Sequence, residues 1–285
     1  MDAPVTHARS LLFVPASRPE RFAKALQSGA DGVILDLEDA VPADGKAAAR
    51  EALAAGLAAF SPAQRARTLV RINAAGTPWH GDDLRLLAGE AGQGLAGAMV
   101  PKAESAAALR AVAKALGAAA RLVPLVESLA GLDAADALAR APQVARLAFG
   151  HLDFQLDLGM RCGPDERELA PVRFALVAAS RRAQLPPPVD GVTTDTGDAG
   201  RLRADAGRAR AVGFGAKLCI HPAQVAPVNE AFSPSAREAD WARRVVEGAR
   251  THQGQAFSLD GRMVDLPVIR LAEQILRQGA PGPER

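Results

Sequence analysis

Two carboxylates stand out by type and place. Glu127 closes the apolar run at residues 121–127 (RLVPLVE), and Asp153 follows the run at 145–150 (ARLAFG) by three residues. If the two runs are neighbouring strands, the backbones carrying these acids lie about 5 Å apart. Carboxylates that close repel unless a proton or a cation comes between them. No histidine or cysteine cluster accompanies them. An oxygen-only ligand set suits a hard cation, so the pair points to Mg²⁺, with Mn²⁺ as the alternative, rather than to Zn²⁺.

Other apolar runs also end in charge. Asp36 and Glu38 end 32–38 (GVILDLE), and their spacing of two puts them on one face of a strand. Arg71 lies between Val70 and Ile72. An inward arginine there needs an anion. Asp36 or Glu38 could supply it, a substrate carboxylate could bind it bidentately, and both can hold together. Lys102 ends 97–102, Asp195 ends 191–195, and Lys217 stands in 215–220 just before His221. His221, beside Pro222 and near Gln224, reads either as a structural hydrogen-bonding group or as a base. Ser128 is not in a nucleophile elbow, and neither Cys162 nor Cys219 has a nearby histidine, so hydrolase triads are not supported. With only five lysines, Lys102 and Lys217 are the Schiff-base candidates, and either would need a depressed pKa.

Eight apolar runs must position these groups: 11–15, 32–38, 68–73, 97–102, 121–127, 145–150, 191–195 and 215–220. Runs rich in Val, Ile and Leu suit strands buried on both faces, as in a parallel sheet. Segments with helical spacing alternate with them, at 19–28, 45–59, 105–116, 129–140, 166–184 and 198–212. Ser17-Arg18-Pro19-Glu20 supplies a capping residue and an early proline for the first. Eight βα units favour an α/β fold of the (β/α)8 TIM-barrel type, whose reactive groups sit at strand C-termini. The stretch after the first strand, LFVPASRPER, has no glycine, which argues against a dinucleotide-binding sheet. Residues 223–231 complete the barrel, and helical patterns at 235–253 and 266–277 are surplus to it. The expected division is therefore a barrel over 1–230 and a C-terminal helical extension over 231–285. The extension must bury its apolar face, and a neighbouring subunit is the expected place, which makes the chain a homo-oligomer.

The 285 residues carry 34 basic and 32 acidic side chains, a net charge of +2, which leaves no electrostatic footprint for nucleic acid. No apolar run reaches the length of a membrane span, and the first residues lack a signal-peptide pattern. The two cysteines form no CxxC motif. A cytoplasmic protein with reduced thiols is the expectation.

In order and spacing, these motifs resemble the citrate lyase β-subunit family and its stand-alone relatives, the malyl-CoA and citramalyl-CoA lyases. The resemblance rests on RSLLFVPASRPERFAKA, GVILDLEDAV with Lys46 to Arg50, VRIN (70–73), PKAES (101–105), VESLAGL (126–132), GFGAKLCIHPAQV (213–225) and GRMVDLPVIRLA (261–272). It spans about residues 9 to 277. It implies a (β/α)8 barrel whose extension reaches a neighbouring subunit, often in trimers. It implies Mg²⁺ on Glu127 and Asp153, and a substrate carboxylate or 2-oxo acid on Arg71. Asp265 resembles the acid/base delivered from the adjacent chain. The early strand ends and the segment from Lys217 to Gln224 look like parts of an acyl-thioester site, so Lys102, Lys217, His221 and Gln224 join Arg71 as expected substrate-binding residues.

Citrate lyase subunits tend to carry a Gly-Ala-Glu-Asp-like sequence at the sixth strand. This chain reads Gly150-His151-Leu152-Asp153, with leucine in place of the acid before the aspartate. That favours a stand-alone protein over a subunit of a citrate lyase complex. The expected reaction is reversible carbon–carbon cleavage of a 3-hydroxyacyl-CoA thioester, such as malyl-CoA or citramalyl-CoA, to acetyl-CoA and a 2-oxo acid. Asp265 would act as the acid, and Asp36 and Glu38 would order Arg71 and metal-bound waters. The competing expectations are a CoA-independent, Mg²⁺-dependent 2-oxo acid aldolase, a malyl-CoA thioesterase, and a β-subunit acting on an acyl-carrier thioester.

Overall fold

The computed structural model describes residues 4–279. Among them, eight parallel strands close into a barrel in chain order: β1 (Ser10–Pro15), β2 (Gly32–Asp36), β3 (Thr68–Arg71), β4 (Gly97–Val100), β5 (Arg121–Val126), β6 (Ala148–Phe149), β7 (Val189–Asp190) and β8 (Ala216–Cys219). β8 pairs with β1, with Ser10 opposite Lys217, and that pairing completes the ring. Each connection carries helix: α1 (Phe22–Leu26), α2 (Lys46–Ala58) with α3 (Pro62–Ala66), α4 (His80–Ala91), α5 (Ala106–Leu116), α6 (Leu129–Asp133) with α7 (Ala135–Ala139), α8 (His151–Asp157) with α9 (Ala170–Arg182), α10 (Ala199–Val212), and α11 (Val225–Ala231) after β8. This is the TIM-barrel fold the alternating runs predict.

Inward-facing Leu11, Ile34, Leu69, Met99, Val123, Leu125, Val189, Ala216 and Leu218 form a continuous interior. At the N-terminal face, Arg146 is fully buried and donates to the carbonyls of Ala8 (2.6 Å) and Pro187 (2.8 Å). Burial without a carboxylate pushes its guanidinium down to about 10. Serine hydroxyls start helices directly after strands: Ser105 Oγ accepts the Ala108 N–H, and Ser128 Oγ accepts the Gly131 N–H. Ser128 is thus an N-cap.

Three readings of the sequence need correction. The seventh strand is Val189–Asp190, not 191–195, and Asp195 lies in the following loop, where its Oδ1 accepts the N–H groups of Gly197 and Asp198. The triple proline 186–188 and the aspartate disguise this strand; burial of Asp190 is tolerated because Arg173 reaches it from α9. The sixth strand is Ala148–Phe149, and the chain enters α8 at His151. Asp153 therefore sits in the first turn of a helix rather than on a strand extension. α4 lies in a stretch assigned to no element, because Gly81, Gly89 and paired aspartates dilute its apolar spacing.

The chain divides into two compact units, with the boundary between Asn229 and Glu230. The second holds α12 (Ala236–Thr251), β9 (Phe257–Leu259), β10 (Arg262–Val264) and α13 (Leu266–Gly279). The β9–β10 hairpin turns at Asp260 and Gly261, both at positive φ, as the Asp-Gly hairpin signal requires. Ala242, Val245, Phe257, Val264, Ile269 and Ala272 form the core of this unit. No helix among the described residues is long and apolar enough to cross a membrane.

Candidate active site

Residues at the C-terminal ends of the barrel strands line a cavity of about 440 Å³. They include Asp36, Arg71, Glu127, His151 and Asp153, over an apolar floor to which Phe13, Leu125 and Leu218 contribute. β2 ends at Asp36 and β3 at Arg71, so the parallel register places the two side by side. Arg71 Nε and Nη2 bind Asp36 Oδ1 and Oδ2 at 2.7 and 2.6 Å, a bidentate pair. Arg71 Nη1 stands 2.8 Å from Glu38 Oε2. That oxygen lacks an aligned hydrogen bond, so the contact is one of charge rather than direction. The guanidinium lies over the Phe13 ring, 4.8 Å from its centroid. Burial alone would lower the Arg71 pKa; the hydrogen bond and charge of Asp36, with Glu38 and Asp39, raise it instead. Of five guanidinium N–H donors, Asp36 takes two and one points toward Glu38; Asp39 Oδ2 stands 3.6 Å from Nη1, beyond hydrogen-bond distance, so two remain for a ligand in the cavity.

Glu127 follows β5 and is 3% exposed. Its Oε1 accepts the Lys102 backbone N–H at 2.6 Å. Gly150 packs against its other side: a β-carbon at Gly150 would lie 2.6 Å from both Glu127 Cβ and Oε2. Burial, then the charge of Glu38, push the Glu127 carboxyl up to about 7 against the pull of Lys102; Asp153 adds to the rise. Glu38 is also pushed up to about 7, first by burial, with Arg71 opposing. Lys102 Nζ stands 3.4 Å from Glu38 Oε1 and 4.0 Å from Glu127 Oε1. The cavity edge thus concentrates negative charge that a cation relieves.

Glu127 and Asp153 are two carboxylates on one cavity, and the cluster of three or more His, Cys, Asp or Glu side chains expected of a transition-metal site is absent among the described residues. Mg²⁺ asks for no more than one or two carboxylates, with water and substrate completing its octahedron, so the donors fit it.

The segment expected to bind an acyl thioester divides. Lys217 faces away from the cavity, because Ala216 and Leu218 on either side face inward. Its Nζ is 2.5 Å from Gly191 O and 3.7 Å from Asp190 Oδ2, and the residue is 1% exposed. Assigning it to substrate binding is a misreading of strand parity. Gln224 is buried, donates to Thr193 O and accepts the N–H groups of Ile220 and His221, so it holds backbone rather than ligand. His221 is exposed and its Nδ1 accepts the Ala223 N–H. Lys102 remains half-exposed beside the acids, at a φ of 46°. Asp265 belongs to the second unit, where it precedes α13; its Oδ1 accepts the Val268 N–H at 3.4 Å.

Sequence reasoning gave Lys46 no task. Buried, it donates from Nζ to Leu37 O and Glu38 O at 2.7 and 2.8 Å, pinning the backbone that carries Glu38. It also missed Glu166, which holds Arg173 and Arg208 and lies 3.5 Å from His151 Nε2. Burial lowers the His151 pKa.

A closed parallel barrel with an arginine and acids at its C-terminal mouth has the architecture of a TIM-barrel enzyme site. The chain belongs to the HpcH/HpaI aldolase/citrate lyase family, whose sequence profile matches residues 9–222, and it is a lyase of that family. It is 38% identical over 289 residues to a citrate lyase subunit beta-like protein of Deinococcus radiodurans, covering 98% of this chain and 100% of the relative. One strain of Cereibacter sphaeroides has two further relatives. An L-malyl-CoA/beta-methylmalyl-CoA lyase is 34% identical, with 96% and 95% covered, and a (3S)-malyl-CoA thioesterase is 35% identical, with 94% and 93% covered. The crystal structure of CitE from Mycobacterium tuberculosis in complex with magnesium, acetoacetate and coenzyme A aligns at TM-score 0.82 and 38% identity, covering 96% of this chain and 98% of that one.

Proposed function

We propose that this lyase cleaves or forms a 3-hydroxyacyl-CoA thioester of the malyl or citramalyl type, yielding acetyl-CoA and a 2-oxo acid. The observation that carries the proposal is the shared cavity: Glu127 and Asp153 face the same space as an Arg71 already oriented by Asp36. Glu127 and Asp153 would hold Mg²⁺. When bound, the ion supplies Lewis-acid stabilisation of the charge that develops on the hydroxyl oxygen as it becomes the 2-oxo group. Arg71 binds the substrate carboxylate with its two remaining N–H donors, which orients the bond to be broken. Asp36 and Glu38 keep the guanidinium in that plane. Lys102, half-exposed at the rim, adds positive charge toward the thioester. As the carbon–carbon bond breaks, the hydroxyl proton passes to water in the cavity, and the acetyl-CoA enolate takes a proton at carbon; Asp265 is assigned as that donor, supplied by a neighbouring chain of a homotrimer.

The relatives named for a lyase and for a thioesterase make hydrolysis the second reading: the same cavity could direct water at the thioester carbonyl. Purified protein with Mg²⁺ and malyl-CoA or citramalyl-CoA separates the two when free thiol and 2-oxo acid are followed together. Oxo acid without thiol, lost in Asp153→Ala, is the lyase result. Thiol without oxo acid means a thioesterase. Cleavage of a CoA-free 4-hydroxy-2-oxo acid alone would assign an aldolase instead.

A further inference from the structure

We infer that His151 is a positioning residue that sets Asp153 against Glu127, acting through a ring wedged between Gly191 and Glu166. The inference rests on the reading of Glu127 and Asp153 as the metal carboxylates.

α8, which bears Asp153 in its first turn, is held at three points. It is seven residues long, and Leu152 and Leu156 are 46% and 80% exposed. Its buried residues are His151 and Phe154. Phe154, midway along the helix and next to Asp153, packs edge-on to Phe149, with ring centroids 5.6 Å apart. Asp157 ties the far end by accepting the Leu129 N–H at 2.8 Å, and His151, the first residue, anchors the start, two residues before Asp153.

The ring is packed closely on two sides. A β-carbon at Gly191 would lie 2.1 Å from His151 Nδ1 and 2.9 Å from Cε1, so the imidazole lies directly on the glycine backbone after β7. That backbone is fixed from behind, because Lys217 Nζ donates to Gly191 O and Arg173 Nε donates to Asp190 Oδ1 at 3.0 Å. On the other side, Nε2 stands 3.5 Å from Glu166 Oε1. The Glu166 carboxylate is itself held by Arg173 Nη2 at 2.6 Å and Arg208 Nη2 at 3.0 Å, on a residue at a φ of 48°. Arg173 therefore braces both walls of the slot. Non-glycine backbone in the left-handed region persists only where its surroundings impose it. Gly150, immediately before His151, abuts Glu127. One dipeptide thus touches the first acid with its glycine and orients the second through its histidine.

The test reads Mn²⁺ binding by electron paramagnetic resonance, with thermal unfolding to confirm the fold. Glu127→Gln serves as the control for the metal reading. We expect His151→Ala to weaken Mn²⁺ affinity about ten- to a hundredfold, the usual cost of losing an outer support of a metal ligand. His151→Gln, which keeps length and a polar tip, should recover most of that loss. Gly191→Ala should weaken binding in the native background, where the new methyl strikes the ring. It should add little in His151→Ala, where no ring is left to strike. Native affinity in His151→Ala, or equal losses from Gly191→Ala in both backgrounds, overturns the inference while Glu127→Gln still abolishes binding. Should His151→Ala not fold, native affinity in Gly191→Ala overturns it alone. Unchanged binding in Glu127→Gln overturns the metal reading, and this inference with it.

Discussion

Glu127 Oε1 accepts the backbone N–H of Lys102 at 2.6 Å, and Lys102 makes that bond from the left-handed region, at a φ of 46°. A lysine there costs of order 1 kcal/mol or more. The strand end after β4 accepts that cost and so directs one N–H at the acid on β5. Lys102→Gly relaxes the strain and keeps the N–H, but removes the ammonium. It should hold or raise the melting temperature while raising KM for the acyl-CoA. A melting temperature lowered by several degrees would show that the ammonium, not the backbone, supports the fold here.

Arg71 is committed to three acids, so its removal is costly. Arg71→Met leaves Asp36 buried without its bidentate partner and Glu38 with Lys102 as its remaining ion-pair partner. Breaking a buried pair on one side destabilises by about 3–5 kcal/mol. Urea unfolding should show that loss, with activity below detection. Arg71→Lys should rescue stability in part and activity hardly at all, because an ammonium cannot bridge both Asp36 oxygens in one plane.

How much of this was legible in the sequence depended on parity and on local pattern. Glu127 and Arg71 end or interrupt long apolar runs, so their place at the barrel mouth follows from the runs. Lys217 stands in an equally clear run, GAKLCI, but a run buried on both faces hides which residues face inward; only the register with β7 and β1 puts Lys217 outside. Asp190 does not read as strand because three prolines stand at 186–188, just before Val189. Asp153 was found, but its helix was not, since His151-Leu152-Asp153-Phe154 has no helical spacing to read. The clamp on His151 depends on Gly191 and Glu166, 40 and 15 residues away, and a single sequence cannot bring them together.

Lys46 supports the site from beneath. Its ammonium serves the carbonyls of Leu37 and Glu38 and stands 5.2 Å from the Trp79 ring centroid. Lys46→Met fills the same space but removes the donor to Leu37 O and leaves Glu38 O with the Val41 N–H alone, at about 1–3 kcal/mol. The expected result is a modest loss of stability and a larger loss of kcat, since Glu38 hangs on that backbone. Loss of stability with unchanged kcat would separate the loop from the chemistry.

Gly150, just after β6, packs against Glu127. Gly150→Ala puts a methyl 2.6 Å from both Glu127 Cβ and Oε2, so the backbone carrying Glu127 must shift and its carboxylate move with it. Mn²⁺ binding should fall with the circular dichroism spectrum unchanged. Ordinary binding would mean that the chain after β6 yields instead.

Glu38 gives the stability a pH dependence whose sign is fixed. Its ordinary pKa of 4.5 rises to about 7 in the folded protein, chiefly because burial disfavours the charge. The folded state then holds a proton that the unfolded state has released between those values. By linkage, stability falls as pH rises across that window. The contribution is fully present below pH 4.5 and lost as pH passes 7. In EDTA, the native protein should therefore unfold at lower urea at pH 7.5 than at pH 5.5. Glu38→Gln removes this charge and keeps the shape, so the difference between the two pH values should shrink by a large part. The Glu127 carboxyl, also raised to about 7, leaves the remainder. A pH difference unaltered in Glu38→Gln would place the titrating charge elsewhere than beside Arg71.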